Sequence, residues 1–180
     1  MIRNLSKLTL AAAALALTTA ATAEAQRPTV GVGGGVTFPV SDLGDENGAG
    51  WHGLITMGYR PVNSVLGFRL DGAYHDLGAD NVGGARDLRA IALTGNVVLE
   101  MPGVAVRPYL IGGAGLYNTK FQGLQSSNNL GLNGGAGLKF RFMEFDTFVE
   151  ARFHAALDAI NRGGEDRSAQ FVPVTFGFSF

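Results

Sequence analysis

Residues 171–180 read FVPVTFGFSF. Val172, Val174, Phe176, Phe178 and Phe180 occupy one register, and Phe171, Pro173, Thr175, Gly177 and Ser179 the other. Successive side chains of a strand point to opposite faces, so this is a β-strand with one face uniformly large and apolar and the other mostly small or polar. Water seldom tolerates that much contiguous aromatic surface, whereas a strand facing lipid requires it.

The same alternation recurs upstream and predicts strands at 29–40, 51–60, 65–75, 88–100, 106–118, 129–142 and 145–157. In the second, Trp51, Ile55, Met57 and Tyr59 oppose His52, Thr56 and Arg60. In the fourth, Ile91, Leu93, Val97 and Leu99 oppose Ala90, Ala92, Thr94 and Asn96. The fifth is less regular, because Ile111 falls on the polar register with Arg107, Tyr109, Gly113, Gly115 and Tyr117. The connections 41–50, 76–87, 119–128 and 158–168 are long and rich in Gly, Asp and Asn, and they alternate with tight turns near 61–63, 101–103 and 143–144. Short turns on one side, long loops on the other and an even strand count are the pattern of an outer-membrane barrel. The fold expected is therefore all-β, an eight-stranded antiparallel up-and-down transmembrane β-barrel with both of its ends on the short-turn side. Hydrocarbon offers no partner to an open sheet edge, so the first strand must pair with the eighth. Pro108 and Pro173 lack a donor and are expected near strand ends or bulges.

Arg3 and Lys7 precede the apolar run 8–17 (LTLAAAALAL), and Ala23-Glu24-Ala25 follows it. This order predicts a signal peptide over 1–25 with a cut before Gln26, leaving 26–180 as the barrel domain. As a membrane anchor the run falls short of the ~20 residues a helix needs. The chain has no Cys, which excludes a lipidated cysteine and a disulfide framework. A formal net charge of −1 argues against nucleic acid as a partner. Hydrophobic content of 46% without a long apolar run beyond the signal must be spread by alternation.

A secreted lipocalin-like barrel would share the strand count but turn its apolar register inward. Its outer face would then need bulky polar residues. Here the polar register is dominated by Gly31, Gly33, Gly35, Gly113, Gly115, Gly131, Gly135 and Gly137, which suits a narrow interior where a Gly wall makes room for long side chains opposite. Large aromatics of the apolar register also gather at strand ends. Tyr59, Phe140, Phe142, Phe145 and Phe180 lie toward the short turns, and Phe38, Trp51 and Tyr74 toward the long loops, as two interfacial girdles.

The segments PYLIGGAGLY (108–117), GLNGGAGLKFRF (131–142), FVEARFH (148–154) and PVTFGFSF (173–180) resemble the small outer-membrane β-barrel domain family, to which the transmembrane domain of outer-membrane protein A belongs. The resemblance implies residence in the outer membrane among lipid and lipopolysaccharide. It further implies that Phe176, Gly177, Phe178 and Phe180 belong to a signal read by the barrel-assembly machinery. It implies little about activity, since members differ mainly in their loops.

Arg69, Asp71, Lys139, Arg141, Glu150 and Arg152 fall on the inward register and are expected to pair as a lumenal ion network. His52, His75 and His154 show no metal-ligand spacing on one strand and read as interior or rim residues. Membrane-embedded lipid A deacylases carry a Ser two residues after a His on a barrel strand, whereas Ala155 and Ala156 follow His154 here, so that nucleophile is missing. No cofactor is expected, and the protein is not read as an enzyme. The long segments carry Asp42, Asp45, Glu46, Asp158, Glu165 and Asp166 against Arg162 and Arg167. That acidic rim suits divalent cations shared with lipopolysaccharide phosphates, or a basic loop partner of unknown identity. The expected role is structural or surface-interacting, with a narrow channel or transporter for small or hydrophobic solutes as the alternative.

Overall fold

A computed structural model describes residues 26–41, 48–78, 88–121, 127–162 and 165–180. Eight strands follow one another: β1 (Gln26–Val40), β2 (Gly50–Pro61), β3 (Leu66–Leu77), β4 (Leu88–Glu100), β5 (Val106–Phe121), β6 (Ser127–Phe142), β7 (Phe145–Arg162) and β8 (Glu165–Ser179). Each pairs antiparallel with its neighbours in sequence, and β1 closes on β8 from Gly31↔Ser179 to Val40↔Gln170. Closure leaves no free edge, as a lipid environment demands. Phe180 extends the seam, since its N–H donates to Val30 O at 2.8 Å.

The faces are assigned as the alternation predicts. Val32, Ile55, Phe68, Leu93, Leu116, Leu132, Val149 and Phe176, one from each strand, all stand on the exposed outer face. Arg69, Asp71, Glu150 and Arg152 are 9%, 2%, 1% and 4% exposed, so the charges are inside and the hydrocarbon is outside. That is the reverse of a water-soluble barrel. Among the described residues no helix is long and apolar enough to cross a membrane, which says nothing of strands.

Two expectations need correction. Segment 158–168 is not a long loop: β7 and β8 continue past a bulge between Ala156 and Ile160 and pair through Ile160↔Arg167, Asn161↔Asp166 and Arg162↔Glu165. Similarly, β5 runs to Phe121 and β6 begins at Ser127, so most of 119–128 is strand. Beyond the lipid both faces meet water, the apolar alternation stops, and the ladder continues without a sequence signature. Pro173 is the second correction. It lies well inside β8, opposite Thr37 of β1, and not near a strand end. On its other side the ladder to β7 passes from Ala151↔Val174 to His154↔Phe171 with no pair between, which a residue lacking N–H permits. Pro108 sits near the start of β5 as expected. Residues 1–25, expected to be a signal peptide, and Asp42, Asp45 and Glu46 lie outside the described residues.

Candidate functional site

Strand alternation sends a column of side chains from each strand into the lumen, and the columns build three layers. The middle layer is ionic. The Arg69 guanidinium donates through Nη2 to both oxygens of Glu150, at 2.9 and 2.7 Å, and through Nε to Asp71 Oδ2 at 3.1 Å. Arg152 Nη1 donates to the same Asp71 oxygen at 2.9 Å, and its Nε lies 2.7 Å from Glu150 Oε1. Two cations and two carboxylates thus form a closed ring. Asn96 Nδ2 donates to Asp71 at 3.0 Å and the Tyr109 hydroxyl to Glu150 Oε2 at 2.7 Å. β3 and β7 stand four strands apart in a ring of eight, so the Arg69–Glu150 bond runs across the full diameter.

Glycine makes this possible. A Cβ on Gly135 would lie 2.7 Å from Arg152 Cγ, and one on Gly131 would lie 2.5 Å from Tyr117 Cε2. The wall of β6 is thin where the side chains of its neighbours β5 and β7 lie across it, so its glycines make room for adjacent side chains as well as for those from the far wall.

Toward the short turns a second charged layer surrounds Glu100 of β4. Lys139 Nζ donates to it at 2.9 Å, and Arg107 Nη1 lies 3.1 Å away. Arg60 also pairs with it, and Arg107 reaches on to Asp146. Of the six expected network residues, then, four form the ring and Lys139 belongs to this separate layer. Arg141 is 66% exposed at the rim, 3.9 Å from Asp146, and joins neither.

Toward the long loops lies a layer the sequence did not announce. His52 of β2, His75 of β3 and His154 of β7 are all buried, with ring centroids 5.3 Å apart for His52–His75 and 5.9 Å for His75–His154. The Thr37 hydroxyl stands 3.0 Å from Nδ1 of both His52 and His75. With one proton it donates to one ring and accepts from the other. His52 Nε2 is 2.9 Å from Thr175 Oγ1, and His154 Nδ1 is 2.8 Å from the Tyr117 hydroxyl. Phe171 stacks on His154 at 5.2 Å. Nε2 of His75 and of His154 has no hydrogen-bond partner. Among the described residues no three ligands converge as a metal site. The signal available in the sequence was each histidine's place on the inward register; their meeting depends on closure, which brings β2, β3 and β7 together.

On the outside, Trp51 and Tyr74 pack with centroids 5.5 Å apart at one end. Phe145 packs at the other on Phe142, Phe178 and Phe180, at 5.5, 5.9 and 5.9 Å. Phe38, Tyr59, Phe140 and Phe176 are exposed or half-buried on the same outer register.

A family profile described as outer membrane protein beta-barrel domain matches residues 9–180. Among curated proteins no relative matches by sequence. Among solved structures, Neisserial surface protein A is 18% identical, with a TM-score of 0.66 over 87% of this chain and 98% of that one. A major outer membrane protein of Thermus thermophilus is 14% identical, with a TM-score of 0.54 over 87% and 99%. The outer membrane enzyme PagL is 18% identical, with a TM-score of 0.49 over 86% and 99%. At these identities the likeness is one of fold.

Proposed function

Because the chain belongs to the outer membrane protein beta-barrel domain family, and so resides in the outer membrane, we propose that it serves as a closed scaffold whose role, structural or surface-interacting, is carried by its long connections. In this reading residues 1–25 are removed on export, the short turns face the periplasm and the long connections face outward. The strand ending with Phe176, Gly177, Phe178 and Phe180 is what the barrel-assembly machinery recognises. Lipid and lipopolysaccharide surround the apolar belt.

The observation that carries the closed lumen is the Arg69–Glu150 bond across the diameter, doubled by Arg152–Asp71. An eight-stranded barrel has an interior scarcely wider than its side chains, and ion pairs in so confined a space resist separation by water. A catalytic role has little support: the hydroxyls beside the imidazoles belong to Thr37, Thr175 and Tyr117, all buried inside the barrel, where no substrate reaches them. Fold likeness to an enzyme is no argument for activity.

Planar-bilayer recording tests the reading. The purified protein should show little or no steady conductance. A stable, large ohmic channel would reject the closed scaffold and favour the channel or transporter for small or hydrophobic solutes.

A further inference from the structure

The mouth at the short-turn end is a half-enclosed cup of about 1190 Å³ that deepens to Arg69. Its floor is unevenly charged. Arg60, Arg107 and Lys139 converge on one carboxylate, Glu100, and Asp146 is shared between Arg107 and Arg141. Away from the rim, three cations, Arg60, Arg107 and Lys139, therefore meet two carboxylates, whereas the ring below them holds two of each. At the rim the charge of Arg141 is offset by Glu144 and the carboxylate of Phe180, so the positive excess belongs to the inner cluster around Glu100. Arg107 is 8% exposed, and its Nε has no hydrogen-bond partner. Donors in this state are costly to leave unmet, and ionic partners satisfy them best. Val98, buried in the same lining, adds apolar surface that strengthens the field inside.

We propose that this cup is a binding site for a small soluble polyanion bearing phosphate or carboxylate groups, which enters from the short-turn side. The cations come from β2, β5 and β6, so a compact ligand with several anionic groups meets them better than a single ion. The cup is ringed by residues of all three short turns, 61–65, 101–103 and 143–146, so a soluble anion on that side reaches it directly. The headgroup of an anionic lipid would have to fold over the rim.

The test uses the refolded barrel in an uncharged detergent, titrated calorimetrically with inorganic tripolyphosphate. Saturable binding of one anion per barrel is expected. It should weaken by about tenfold or more in Arg60→Gln/Lys139→Gln, as loss of two ionic contacts implies, and tighten in Glu100→Gln, where the competing carboxylate is gone. Arg89→Gln, at the opposite end beside Asp76, should bind as the parent does. Heat-modifiable migration identifies folded variants, and Arg60→Gln alone, at a half-exposed position, serves if the double variant fails to fold. In nanodiscs, tripolyphosphate should bind whether the lipid is phosphatidylcholine or contains phosphatidylglycerol. Loss of binding with phosphatidylglycerol would reassign the cup to a lipid headgroup. Absence of saturable binding, or equal affinity in the parent and the Arg60 variants, would overturn the site.

Discussion

Two halves of one lumen are filled by different chemistry. From its middle toward the short turns the lumen is charged, and in the middle Arg69, Asp71, Glu150 and Arg152 satisfy one another as formal charges, with Tyr109 and Asn96 donating into the ring. Toward the long loops, three imidazoles, Tyr117, Thr37 and Thr175 share weaker bonds and Phe171 packs among the rings, while buried atoms without a hydrogen-bond partner occur in both halves, Asp71 Oδ1 and Arg152 Nε in the one and His75 Nε2 and His154 Nε2 in the other. Beyond these rings Leu77, Leu88, Ala90 and Ala169 are buried, so that half grades into an apolar core. The contrast teaches where a charge can be placed. A buried charge needs an opposite charge within reach, and the narrow barrel supplies one from the far wall. Groups without formal charge carry a smaller desolvation cost and can be packed with looser pairing.

That contrast can be broken most severely at Glu150. Replacing it with Leu leaves two guanidiniums facing one carboxylate and should cost about 3–5 kcal/mol, the usual penalty for halving a buried pair. Urea unfolding in lipid vesicles, followed through the single Trp (Trp51), reads the loss. A cost below about 1 kcal/mol would mean that water already screens the ring.

A sharper comparison uses two tyrosines of the same strand, one in each half. Tyr109→Phe removes a bond to a carboxylate and should cost about 1.5–3 kcal/mol, while Tyr117→Phe removes a bond to an imidazole and should cost about 0.5–1.5 kcal/mol. Equal losses in the same unfolding assay would erase the distinction between the halves.

The smallest effect is expected at Thr119, buried at the long-loop end with an unpartnered Oγ1. Thr119→Val keeps the shape and deletes the unmet hydroxyl, so stability should be unchanged or rise by up to about 1 kcal/mol. In the ionic half, Thr94→Val loses the acceptor that Asn96 uses at 3.1 Å and should destabilise. A destabilised Thr119→Val would show that its hydroxyl is engaged after all.

The strand count, the closing pair and the inward register were legible because side chains alternate with a period of two wherever one face meets lipid. β4 is the clearest case: its burial alternates at every residue from Leu88 to Glu100. The extension of β7 and β8 was not legible, because residues such as Asp158, Asn161, Arg162 and Asp166 are polar in both registers and a ladder beyond the lipid selects nothing from them. Of the candidate site, the signs and faces of Arg69, Asp71, Glu150 and Arg152 could be read locally, but their pairing could not.

By itself, then, the amino-acid order determined which side chains point inward, since that depends only on parity along each strand. Only the closed structure decided which of them meet. Arg69 and Glu150 are 81 residues apart and bond because β3 and β7 face each other across the ring. It also decided that Lys139 serves Glu100, that Arg141 stays at the rim, and that three histidines from three strands share a layer. Partners across a barrel are set by its register and circumference, which are properties of all eight strands together and are written in none of them singly.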